Sequence, residues 1–166
     1  MIALMLTLAV AVQAPDSARA ARWERAINQT TDSLDRMRGA TAGFRADLTS
    51  ASPDLVLVRA ATVRAACQGA GAPLAELDGL LGAEVYSARA QRTQTQLRRG
   101  TTDLRRVLSQ CERDWQVPER PKPGIADSLR AWGPFRSAQI DSALRRYLSL
   151  VREFMKQAAL KKPAVS

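Results

Sequence analysis

Apolar residues early in the chain recur at alternating steps of four and three. Trp23, Ile27, Thr30, Leu34, Met37, Thr41, Phe44 and Leu48 form one such series. That spacing keeps one stripe along a helix and marks long helices packed at a shallow angle. Ser17 to Ser50 therefore reads as one helix, with Pro15 and Asp16 suited to its start. Two threonines interrupt the stripe, which points to packing within a bundle and not to an isolated coiled coil.

Ser52-Pro53-Asp54 signals a restart: serine caps, proline fits the first helical position and aspartate complements the helix dipole. The short turn makes the second helix run back along the first. Val56, Ala60, Val63 and Cys67 line one face of it, and Gly69-Ala70-Gly71-Ala72-Pro73 ends it. Leu74 to Leu81 reads as a short apolar helix or turn. A third long helix is expected from about Ala83 to Trp115, with Leu97, Thr101, Leu104, Leu108, Cys111 and Trp115 as its stripe. Residues 117–124 form a Pro-rich connector. Gly133-Pro134 is expected to break any helix there. The last helix carries Ile140, Leu144, Tyr147, Val151, Phe154 and Ala158, with Lys161 and Lys162 at its end and Pro163 as its stop. Strand-like alternation is absent. The fold class is all-α: an up-down bundle of three long helices and a shorter fourth, with one disulfide.

Ile2 to Val12 is apolar except for Thr7 and resembles the core of a secretory signal peptide. Val12-Gln13-Ala14 and Ala18-Arg19-Ala20 offer candidate cleavage sites. Residues 1–14 are thus a signal peptide or N-terminal hydrophobic segment, and 15–166 the bundle domain. The apolar run falls short of the roughly 20 residues a membrane-spanning helix needs. The expected location is periplasmic or exported, with membrane association if the segment stays attached. In an oxidising compartment Cys67 and Cys111 are expected to bridge, tying the second helix to the third. They lack the Cys-x-x-Cys spacing of a catalytic redox pair.

Composition removes much chemistry. The 166 residues include no His, which excludes Ser-His-Asp and Cys-His nucleophiles, His metal ligands and imidazole acid–base work. Carboxylate pairs are few, with Asp32 and Asp35 three apart and Glu76 and Asp78 flanking a turn, and the Glu-x-x-His motif of di-metal bundles is missing. No metal site, cofactor or enzymatic activity is expected. Asn28-Gln29-Thr30 matches a glycosylation acceptor but falls within a helix.

Charge adds a surface. Lys and Arg total 25 against 16 Asp and Glu, a net charge of +9. Arg92, Arg99, Arg106 and Arg113 recur every seven residues at the outermost position of the third long helix, with Arg98 and Arg105 beside them. Arginine forks bind carboxylate and phosphate. An acidic protein, an anionic membrane surface or another polyanion would fit. Nucleic acid is disfavoured, because export separates the chain from the genome and no aromatics interleave with the arginines. The same arginines also suit the ordinary solvated face of a bundle.

Gly39 and Gly43 lie four apart, off the stripe. Each costs about 1 kcal/mol against alanine in a helix, which close approach of another helix would offset. Trp132, beside Gly133-Pro134, is a candidate exposed anchor, whereas Trp23 and Trp115 belong to the core. Tyr86 and Tyr147 read as packing groups. The leading expectation is a non-enzymatic exported bundle that acts by protein contact in a bacterial cell envelope. The alternatives are a module that binds anionic surfaces through the arginine ridge, and a bundle with a small-ligand cavity near Thr30, Thr41 and Thr101.

Overall fold

The computed structural model describes the backbone of residues 3–48, 51–83 and 88–158, and their side chains from residue 18 onward, Arg89 apart. The side chains of the apolar leader, Tyr86, and the end formed by Lys161, Lys162 and Pro163 lie outside the described residues. Every regular element among the described residues is a helix: α1 (Ala3–Asp47), α2 (Pro53–Gly69), α3 (Gly71–Ala83), α4 (Ala88–Asp114) and α5 (Ile125–Gln157), with the Pro-rich connector of 117–124 non-helical between the last two. The three long helices are α1, α4 and α5; α3 prolongs the shorter α2 across a turn at Ala70.

Long-range pairs fix the topology. Met37 meets Cys67 and Thr30 meets Pro73, so α2 and α3 run back along α1. Cys67 joins Cys111, and Asp78 reaches Arg98 and Arg105, so α4 reverses again. Thr101 meets Tyr147 and Asp114 meets Arg136, so α5 reverses once more. Trp23 on α1 packs on Phe154 of α5, ring centroids 5.7 Å apart, which closes an up-down-up-down ring. The core is the stripe read from the spacing: every member on α1, α2 and α4 is buried except Leu48, which is partly so. On α5, Ile140, Leu144, Tyr147, Val151 and Phe154 are buried.

The start of α2 follows its sequence signal. Ser52 Oγ accepts a hydrogen bond from Leu55 N at 3.3 Å, and Pro53 opens the helix. Three boundaries differ from expectation, the first being α3, which already starts at Gly71 and takes Pro73 into its first turn. Helix α1 is already helical from Ala3, so Pro15 and Asp16 lie inside it. Helix α5 begins at Ile125, after Gly124 at φ 84°, and passes through Gly133-Pro134 without ending. The reason is packing. A Cβ on Gly133 would stand 2.5 Å from Phe44 Cε1 and 3.4 Å from Trp115 Cη2, so the missing side chain seats α5 on two rings. Proline removes one ladder hydrogen bond, and that contact outweighs it.

Cys67 and Cys111 are bridged, with Cα atoms 6.3 Å apart, and both are buried. The bridge is compatible with an oxidising, exported location. Among the described residues no helix is long and apolar enough to cross a membrane.

Candidate interaction surface

The inner face of α4 is fixed by Leu97, Thr101, Leu104, Leu108 and Cys111, all buried. Its outer face follows by rotation. Arg92, Thr95, Arg99, Thr102, Arg106, Ser109 and Arg113 occupy it, again at alternating steps of three and four, and all seven are exposed. Successive arginines stand about 10.5 Å apart, and the four span about 31 Å of axis. The outer face is therefore a ribbon in which arginines alternate with short hydroxyl residues, and no carboxylate belongs to it. Thr95 and Thr102 donate to their own helix, to the carbonyls of Gln91 at 2.9 Å and Arg98 at 3.2 Å.

The structure divides the six arginines singled out in the sequence. Arg98 and Arg105 turn toward α3 and share one carboxylate: Asp78 lies 3.9 Å from Arg98 and 3.2 Å from Arg105. These two fasten α3 to α4. Arg106 pairs with Asp103 at 3.4 Å, where both side chains are more than two-thirds exposed. Arg113 donates to Ser109 at 2.7 Å and Gln110 at 2.9 Å. Arg92 and Arg99 form no ion pair with any described residue. The acidic residues of α4 lie off the ribbon, and Asp114 is held by Arg136 of α5 at 3.2 Å.

Gly39 and Gly43 do not bring helices of this bundle together. A Cβ on Gly39 would meet nothing within 4 Å, and one on Gly43 would meet only the Arg59 guanidinium at 3.8 Å. The close approaches lie at Gly133 and at Gly100, where a Cβ would stand 2.6 Å from Leu150 Cδ1. Gly39 instead lines an open groove of about 520 Å³ between α1 and α2, with Ala40, Thr62, Ala66 and Gly69 along it. Trp132 is not an exposed anchor: it is half-buried edge-on against Trp115, centroids 5.2 Å apart. Phe135 is the exposed aromatic of that helix, at 64%. Its exposure had no sequence signal, since Gly133-Pro134 shifted the expected helix start past it.

The seam threonines are tied across the bundle. Thr30 donates to Pro73 O at 3.1 Å, and Thr41 to Asp141 at 2.9 Å, a carboxylate also paired with Arg45. Thr101 lies 3.1 Å from the Tyr147 hydroxyl. Burial raises the Tyr147 pKa to about 12. Asp35 pairs with Arg38 at 3.2 Å on the surface, while Asp32 and Glu76 share an open groove with Arg36. Among the described residues no three His, Cys, Asp or Glu side chains cluster closely enough to hold a metal.

No protein-family model matches the chain, and no curated protein or solved structure matches it. Two features of this surface escaped the sequence reading. In the sequence Asp78 reads only as half of a carboxylate pair with Glu76, and the fold makes it the tether of α3. The hydroxyl residues between the arginines carried a readable signal, because Thr95, Thr102 and Ser109 hold three-four spacing with them.

Proposed function

We propose that the chain is a non-enzymatic, exported helical-bundle protein of a bacterial cell envelope. It acts by contact with another protein, as an accessory subunit, adaptor or scaffold. One observation carries this reading: the outer ribbon of α4 presents four arginines over about 31 Å, met by a single exposed carboxylate, Asp103 at Arg106, with Arg92 and Arg99 unpaired within the described chain. Such a concentration of one charge favours an acidic docking partner. The buried disulfide agrees with export, and the apolar run of Ile2 to Val12 supplies the address.

The test places a photo-crosslinking residue at Thr102 in cells and looks for a covalent adduct in the envelope fraction. A defined protein adduct that disappears in the Arg99→Glu, Arg106→Glu variant supports the reading. A chain that stays in the cytoplasm, or one that yields no adduct from any exposed position, refutes it. A second reading rests on the same unpaired Arg92 and Arg99: direct binding of an anionic surface, acidic lipid or polyanion. It requires affinity for vesicles of phosphatidylglycerol or for polyphosphate that falls steeply with salt.

A further inference from the structure

The ribbon has a period as well as a charge, and the period narrows the partner. We infer that it receives an acidic helix of the partner protein, with carboxylates at every seventh residue. This rests on the contact function proposed above and names the chemistry of the other side.

Register is the first argument. Arg92, Arg99, Arg106 and Arg113 stay in line because α4 follows the heptad of its own bundle. A second helix laid at a shallow angle advances by the same rise per residue. Carboxylates every seventh position then meet successive guanidiniums at about 10.5 Å without drifting off the row. Neither a lipid surface nor a flexible polyanion offers that fixed repeat.

Relief is the second. Thr95, Thr102 and Ser109 alternate with the arginines and are short. Two of them turn their hydroxyls onto their own backbone. The ribbon thus has low points between tall ones, as a helix needs to seat its side chains on a neighbour. It carries no large apolar residue to insert into a bilayer, unlike helices that lie in membrane interfaces.

Charge placement is the third. Asp78 holds Arg98 and Arg105 to one side, and Arg136 of α5 holds Asp114 on the other. The flanking charges are engaged inside the molecule, whereas on the centre line only Arg106 meets a carboxylate, the exposed Asp103. The exposed Arg106–Asp103 pair is weak enough to exchange for an incoming carboxylate.

The experiment uses the full chain and two synthetic helical peptides of equal composition. One carries glutamate at every seventh position; the other carries the same glutamates at irregular spacing. The periodic peptide is expected to bind at least about tenfold more tightly. Arg99→Glu, Arg106→Glu should abolish this, and a lysine version of the periodic peptide should bind that variant. Circular dichroism confirms that each variant keeps its helices, and Arg99→Gln, Arg106→Gln gives a second, milder loss. Equal binding of the two peptides, or preference for phosphatidylglycerol vesicles or polyphosphate over both, overturns the inference. A crosslinked partner that touches another face overturns it too, yet leaves the contact function standing; no partner at all removes both.

Discussion

Gly133 and Gly39 both occupy helix interiors, where alanine is the better helix former. Their surroundings give them opposite sensitivities. Gly133→Ala would drive a methyl into the Phe44 ring, which Trp115 backs edge-on at 4.5 Å. A loss of about 1–3 kcal/mol is expected from such overpacking. Gly39→Ala meets open space and should gain about 0.5–1 kcal/mol from helix propensity alone. Urea unfolding of the two variants checks both signs; equal effects would contradict the packing described. Tyr147 supplies a pH test. Its folded pKa of about 12 lies above the ordinary value of 10.0, because burial disfavours the phenolate. A raised acid pKa gives stability that is complete below pH 10 and lost as pH climbs toward 12. About 2 kcal/mol should vanish over that window. In Tyr147→Phe the alkaline decline should flatten, at the expense of the Thr101 hydrogen bond at neutral pH.

Among the elements, α2 and α4 are joined covalently, and that bond should dominate their response to reductant. Cys67 and Cys111 are 44 residues apart. Closing such a loop is worth about 4 kcal/mol in the chain-entropy model. Cys67→Ala, Cys111→Ala should lower stability by that order, and thermal melts of oxidised protein with and without the substitutions measure it. The helices themselves were legible because one stripe of Trp23, Ile27, Leu34 and their successors repeats without strand-like alternation. The pairing of Cys67 with Cys111 was legible because both fall on inward stripes. What escaped depended on contacts distant in sequence. Gly133-Pro134 looks like a break until Phe44, about ninety residues earlier, is known to lie against it. Gly39 and Gly43 looked like a packing motif because their spacing matches one, and spacing says nothing about which neighbour stands there. Trp132 looked free because its partner, Trp115, arrives from another helix.

For the molecule as a whole, the excess of positive charge has effects with or without a partner. A net charge of +9 on this bundle is self-repulsive in its compact state. Raising sodium chloride from about 20 to about 300 mM shortens the screening length severalfold, so the melting temperature should rise across that range. A flat or falling trend in differential scanning fluorimetry would show that the internal pairs, such as Arg59–Asp47 at 2.6 Å, outweigh the repulsion. The candidate surface was partly readable beforehand, since the sevenfold arginine repeat was plain. Its division into a tethering pair and an open centre line was not, because only the fold brings Asp78 beside Arg98 and Arg105.

The closing contact between Trp23 and Phe154 puts the outer ends of α1 and α5 at one pole of the bundle. Tension applied through those ends would therefore peel α1 from α5 turn by turn, a low-force route, and would halt at the covalent link in the middle of the molecule. The 43 residues between the two cysteines would be shielded from the load. In an optical-tweezers trace the oxidised chain should extend about 150 Å less than the reduced one.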